Sequence, residues 1–361
     1  MLSNQTMLIC VFLLVFAQVS TSSFVLHNIA KRHAERNCSC SNSSRCAPKY
    51  ELFPGHTACL NKSAVAKPIA LTDAEKKEIV DQHNQLRSSV KPAAANMLKM
   101  KWDPELEMLA KRWVEACQID IRGYILSDKV RNIPGRFDVG QNSATDYSTI
   151  KETIDEWFEE RHDYTTRYSN VELFQWPGPE ISHYTQLAWA SSSLIGCAAS
   201  WCNKMKYFVC DYGPTGNIFP FKSPYEKLEY DRASCKNSTS SENLCDCGAL
   251  ACQNDAKTNA LQCSCNCTYP SQVPPYCALD CSKDDDQLCG RNEFQTKHCN
   301  ISYIVAACPH LCGICPCSDA KYSCYGSGGS DSDGHKSDSN INHVGHVFTQ
   351  MIAVFLLALL F

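Results

Sequence analysis

The run GCAASWCNKMKYFVCDY at positions 196–212 decides the fold. Its two arms mirror each other about Asn203-Lys204, so a two-residue turn there sets Cys197 directly opposite Cys210. Counting back from the turn makes this a non-hydrogen-bonded pair of an antiparallel ladder, where side chains approach most closely and a disulfide fits. The stretch therefore predicts a stapled β-hairpin. Helical patterns surround it. Thr72 and Glu75 form a capping box ahead of Ile79, His83, Leu86 and Val90. Asp103-Pro104 supplies a cap residue and a first-turn proline ahead of Leu106, Leu109, Ala110, Trp113, Val114 and Cys117. A third helix is expected over 147–161, with Ile150, Ile154, Trp157 and Phe158 on one face, and a shorter fourth from Ser182. Helices on both sides of a small antiparallel sheet give an α+β domain, a three-layer α/β/α sandwich over residues 71–230.

Cysteine usage sets the compartment. A total of 25 cysteines in 361 residues is a hazard in a reducing cytosol and a framework outside the cell. Residues 7–16 form an apolar run followed by small and polar residues to Ser23, the layout of a cleaved signal peptide over 1–23, although a basic leader is missing. Removing Cys10 with that peptide leaves an even number of cysteines and permits complete pairing. Sequons at Asn37, Asn42, Asn61, Asn237, Asn266 and Asn300 suit the same route as N-glycosylation sites. A formal net charge of −4 gives no electrostatic reason to expect nucleic acid as a partner.

Composition divides the rest. Residues 24–70 carry Cys38, Cys40, Cys46 and Cys59 and are too short to bury a core alone, so they read as an N-terminal extension stapled onto its neighbour. Beyond residue 231 cysteines crowd and large aliphatic side chains thin out, so small disulfide-rich modules replace a core. Residues 231–280 hold an epidermal-growth-factor-like rhythm in Cys263-Ser264-Cys265-Asn266-Cys267, and 281–315 form a six-cysteine unit. A Gly, Ser and Asp-rich linker over 316–340 leads to an apolar tail within 341–361 with no basic residues after it. That arrangement is the signal for a glycosylphosphatidylinositol anchor. The alternative is a short transmembrane helix, for which the apolar run falls below the roughly 20 residues a bilayer needs.

SHYTQLAWASS at 182–192 resembles the first signature of the CAP family, the cysteine-rich secretory, antigen-five and pathogenesis-related proteins, and YFVCDYGPTGNI at 207–218 resembles the second. HNQLR at 83–87, NMLKMKW at 96–102, GQN at 140–142 and WFEE at 157–160 also match, so the resemblance covers about residues 71–225. The wording over 78–102 looks most like venom and reproductive-tract members, whereas HTAC at 56–59 and the GQN look more like insect antigen-five proteins. The resemblance implies a cavity set of two histidines and two glutamates. His183 and Glu160 match two of these, Gln141 stands where the second glutamate is usual, and Ser127, placed by Asp128 and Arg131, stands where the second histidine is usual. Two facing imidazoles hold zinc through neutral nitrogens; one imidazole with one carboxylate is a poor site unless His162 joins, so no metal and no cofactor is expected. Ser182 replaces a usual glycine and reads as a helix N-cap. Asp211 replaces a usual asparagine and leaves the local hydrogen bonding open. His83 and His183, both on helices, read first as structural residues.

The six-cysteine unit resembles the sea-anemone potassium-channel-toxin module through Cys281, Asp284, Cys289, Cys299, Cys308, Cys312 and Cys315 and the closing run CPHLCGIC. Channel-blocking relatives use a lysine followed by an aromatic residue. Lys297-His298 is the nearest pair here, so a staple or adhesion module is expected.

For function, the resemblance implies a non-enzymatic protein that binds a lipid or sterol ligand in CAP grooves. Tyr164, Tyr168, Phe174 and Trp176 are the candidate lining, although such aromatics are also ordinary packing. The rival reading is recognition of an extracellular protein receptor, immune factor or channel by the cysteine-rich modules. A C-terminal lipid anchor would add the membrane as partner. Hydrolysis would pair Glu160 and His183 as acid and base, but neither G-x-S-x-G nor HExxH occurs, so no catalytic residue is assigned.

Overall fold

In the computed structural model the described residues are 46–51, 53–118, 131–168, 181–218, 223–228, 235 and 243–315. Ser127, Phe174, Trp176, Asn37, Asn42, Asn237, the leader and the apolar tail lie outside them. Of Tyr168 only the backbone is described.

Local chemistry starts the three longest described helices. A short helix α1 (Pro48–Glu51) and a 3₁₀ turn (Thr57–Cys59) precede strand β1 (Ala66–Ile69). Helix α2 (Asp73–Ser88) begins at the Thr72–Glu75 capping box, with Glu75 N donating to Thr72 Oγ1 at 3.2 Å and Thr72 N to Glu75 Oε2 at 2.7 Å. After strand β2 (Lys101–Trp102), helix α3 (Pro104–Ala116) starts where Asp103 Oδ1 accepts from Glu105 N and Leu106 N. Strand β3 (Gly140–Thr145) follows, then helix α4 (Ile150–Glu159), with a second capping box between Thr149 and Glu152. Helices α5 (Arg161–Tyr168) and α6 (Ser182–Leu187) lead to the hairpin of β4 (Leu194–Cys202) and β5 (Met205–Gly213). One expectation needs correcting: the N-cap of α6 is Ile181, without a side-chain cap, and Ser182 is the first helical residue.

The sheet runs β1-β4-β5-β3, with β2 joining β4 in parallel. Cys197 and Cys210 are register partners with Cα atoms 4.1 Å apart and are disulfide-bonded across a turn at Asn203-Lys204. Asn203 takes a left-handed φ of 57°, which a tight hairpin turn requires. β1 belongs to the segment read as an appendage, yet it pairs antiparallel with β4 from Ala66↔Cys202 to Ile69↔Ala199. It supplies the backbone partners that β4 would otherwise lack at that edge.

Strand alternation assigns the layers. Ile195, Cys197, Cys210 and Tyr212 pack with Ile79, Ile154, Trp157 and Leu187 beneath α2, α4 and α6. Ala198, Tyr207 and Val209 face the other way, onto Ala110, Trp113 and Val114 of α3. Gly196 permits this close contact, since a Cβ there would lie 2.1 Å from Glu107 N. The buried Arg87 ties the first layer to its loops. Its guanidinium donates to the carbonyls of Leu98, Leu187, Trp189, Ala190 and Ser192 at 2.7–3.3 Å. The N-terminal segment docks through Glu105 on α3, which meets Lys49 at 2.6 Å, Tyr50 at 2.5 Å and Arg136 at 2.5 Å. Burial would push that carboxyl up, but Lys49 and Arg136 outweigh it and hold it at about 2.

The C-terminal modules are held by cross-links. Cys245 bonds back to Cys235; then Cys247–Cys263, Cys252–Cys265 and Cys267–Cys277 follow, around the short pairs β6 (Lys257–Asn259) with β7 (Ser264–Asn266) and β8 (Gln272–Val273) with β9 (Ala278–Leu279). The six-cysteine unit nests Cys289–Cys308 and Cys299–Cys312 inside Cys281–Cys315, around helix α7 (Ser302–Ala307).

Candidate functional site

Glu160 sits at the C-cap of α4, and His183 is the second residue of α6. The two meet directly, His183 Nδ1 lying 2.6 Å from Glu160 Oε1. The second carboxylate oxygen accepts from Tyr184 N at 2.9 Å. Glu160 thus does from another helix what the residue before α6 does not: it satisfies an orphan amide and sets a negative charge at a helix start. The His183 ring stacks on Trp157, with centroids 5.9 Å apart and planes 12° apart. The pair is partly open, the His183 side chain 28% exposed and that of Glu160 16%.

Gln141 does not join them. Its Nε2 donates to Asp211 Oδ1 at 2.8 Å, in the register pair Gln141↔Asp211 of β3 and β5. Successive strand residues point to opposite faces, so it is Asn142 that reaches the His183 side, donating to the His183 carbonyl at 2.9 Å. Ser127 lies outside the described residues, and His162 pairs at the surface with Glu159, Nε2 to Oε2 3.0 Å. Among the described residues no three His, Cys, Asp or Glu side chains gather as a metal site.

In the sequence Asp211 stands out only as a departure from a pattern. In the fold it is fully buried, and burial raises its pKa to about 7 against the lowering pull of Arg131 and the Gln141 bond. Its Oδ2 has no hydrogen-bond partner among the described residues. The two departures, Gln141 and Asp211, are register partners on neighbouring strands and are joined by one hydrogen bond. The signal lay in the sequence, but reading it needed the β3–β5 register.

Two further histidines, His83 and His56, are held in the buried interior by hydrogen bonds. His83 Nδ1 donates to the Ile79 carbonyl at 2.8 Å and Nε2 accepts from the Tyr212 hydroxyl at 3.0 Å; burial pushes its pKa down to about 4. His56 accepts from Ala58 N through Nδ1 and donates from Nε2 to the Asn132 carbonyl, again with burial lowering its pKa to about 4.

Of the candidate ligand-lining aromatics, Tyr164 is described. Its hydroxyl lies 3.3 Å from Ser223 Oγ and its ring 5.3 Å from that of Tyr184. Tyr184 packs edge-on to Phe158 and meets the Tyr225 hydroxyl at 3.4 Å. The result is an aromatic cluster beside the Glu160–His183 pair, in which Phe158, Tyr184 and Tyr225 are buried and Tyr164 is half-buried at the edge. Tyr184 and Tyr225 belong to no motif read for ligand binding, and only their tertiary position brings them to Tyr164.

Residues 80–212 match the sequence profile of CAP, the Cysteine-rich secretory protein family. The chain is 33% identical over 289 residues to Cysteine-rich venom protein Mr30 of Conus marmoreus, covering 75% of this chain and 91% of that protein. It is 30% identical over 236 residues to Cysteine-rich secretory protein 3 of Homo sapiens, covering 60% of this chain and 93% of the other. Among solved structures, venom allergen-like protein 4 of Schistosoma mansoni aligns at 27% identity and a TM-score of 0.34, over 44% of this chain and 97% of that one.

Proposed function

Because the chain belongs to the cysteine-rich secretory protein (CAP) family, we propose that it works outside the cell as a non-enzymatic binding protein that takes a lipid or sterol-type ligand at the Tyr164 edge of its aromatic cluster. The observation that carries this reading is Tyr164, whose half-buried ring and hydroxyl border the buried cluster of Phe158, Tyr184 and Tyr225. A sterol has the same division, a rigid apolar body with one hydroxyl. The non-enzymatic part is supported by the relatives, named as cysteine-rich venom and secretory proteins.

Extracellular action is supported by relatives named as venom and secretory proteins and by the ten disulfides among the described residues. The glycosylphosphatidylinositol anchor stays part of the proposal; phosphatidylinositol-specific phospholipase should release the protein from cells. Saturable binding of a labelled sterol by the secreted protein, weakened at least about tenfold in Tyr164→Ala, is the expected result. No saturable binding, or binding indifferent to Tyr164, would retire the lipid reading. Protein recognition would then lead, favoured by Tyr276 and Leu288, exposed at 42% and 49% on the cysteine-rich modules.

A further inference from the structure

Asn300 begins the sequon Asn300-Ile301-Ser302, and its side chain lies on the rim of a groove. The groove opens to solvent, and the space within and before it, open solvent included, is about 410 Å³. It runs between the N-terminal segment, the loop 132–138 and the six-cysteine module. Phe53, with the buried Phe137 and Val305, gives it an apolar lining, and Asn132 supplies a side-chain amide, that of Asn254 being taken by the Cys277 carbonyl. Its ends are pinned: Ser302 Oγ donates to the Asp138 carboxylate, and Asn254 N donates to the Arg136 carbonyl. This is a built cleft, too open to enclose a free small molecule.

We propose that Asn300 is N-glycosylated and that the first sugar of its glycan lies in this groove, covering the seam between the loop 132–138 and the six-cysteine module. The chemistry is a group transfer. Asn300 Nδ2 bonds to the anomeric carbon of a lipid-diphosphate-linked oligosaccharide, the sugar–phosphate bond breaks, and the amide gives up one proton as the lipid diphosphate leaves. Because the sugar is tethered at the rim, it meets the groove at high effective concentration. A pyranose with an acetamido group matches the accessible lining, its apolar ring face against the Phe53 ring and its polar groups toward the Asn132 amide. Ser302, the hydroxyl of the sequon, is spent on Asp138 in the folded molecule, so transfer precedes docking of the module. Asn61 and Asn266 are also exposed sequons, but neither lines this groove, which makes them internal controls.

The inference rests on the extracellular reading, and the experiment separates the two. The full chain is secreted from eukaryotic cells, and glycan occupancy is read by peptide mass spectrometry. Release by an endoglycosidase is then followed at Asn61, Asn266 and Asn300, natively and after reduction and denaturation. The expected result is occupancy at Asn300 and native release there about tenfold slower than at the controls, with equal rates once unfolded. Phe53→Ala keeps the sequon and should erase the difference, while Asn300→Gln should raise amide exchange in 132–138 and leave β5 unchanged. An empty Asn300 beside occupied controls overturns the proposal, and so does equal native release. A chain bare at all three positions overturns the extracellular reading with it.

Discussion

Asp211 shows what a single buried carboxyl does to pH dependence. Its pKa, raised from 3.8 to about 7, means that the folded state holds the proton more tightly than the unfolded chain. The stability it contributes is therefore present below that window and is lost as pH rises through it. His56 and His83 act with opposite sign. Burial lowers each from 6.5 to about 4, so their contribution is lost as pH falls through the same range. From about pH 6 down to about pH 5 the two histidines outweigh the one carboxyl, and stability should fall on acidification with a slope of about one proton. Asp211→Asn removes the opposing group and should steepen that slope to about two. Urea unfolding at several pH values measures it, and an unchanged slope would place the Asp211 proton outside the folding equilibrium. The residue types were legible, but their partners were not. Glutamine for glutamate and aspartate for asparagine look like two separate losses until the strand register puts them in contact.

Caps and cross-links act on whole elements. The Thr72–Glu75 capping box lies in a short, contiguous stretch and marks the start of α2 directly, whereas the helix expected from residue 147 on apolar spacing begins at Ile150, after the Thr149–Glu152 box. The α6 cap could not be read directly, since the carboxylate that serves it arrives from α4, 24 residues away in sequence. β1 was equally hidden: a four-residue strand containing lysine and proline has no alternation to detect and is ordered by the neighbour it pairs with. Two disulfides of the layered domain give a test of element-scale energetics. Cys197–Cys210 spans 13 residues within one hairpin, and Cys117–Cys202 spans 85, joining the end of α3 to the end of β4. Loop-closure entropy assigns about 3 kcal/mol to the short loop and about 4.5 kcal/mol to the long one. Guanidinium unfolding of the two double-alanine variants should therefore find the Cys117/Cys202 loss the greater. The reverse order would mean that packing of the fully buried hairpin pair dominates.

At the scale of the molecule, two kinds of cohesion coexist. The layered domain buries extended apolar clusters on both faces of its sheet. The six-cysteine module has a small cluster, Ile304, Val305, Ala307 and Ile314 among its own cystines, and depends on cross-links. Mild reduction without denaturant should open the modules first. Alkylation followed by mass spectrometry should label Cys281, Cys289, Cys299, Cys308, Cys312 and Cys315 well before Cys197 and Cys210. Simultaneous labelling would mean that the seam couples module and domain into one cooperative unit. The hydrogen bonds from Ser302 to Asp138 and from Asn254 to Arg136 are the contacts that would carry such coupling.

By itself the sequence determined what depends on short-range or periodic information: the layered architecture from helical and strand spacing, the hairpin and its cystine from turn arithmetic, and the reliance on disulfides from composition. Only the tertiary structure decided which cysteines pair in the modules, which face Gln141 takes, how Glu160 comes to cap α6, and that a groove opens beside Asn300. The physical reason is the same in each case. These contacts join residues far apart along the chain, and their proximity follows from packing and loop closure across the whole fold, which leave no local signature.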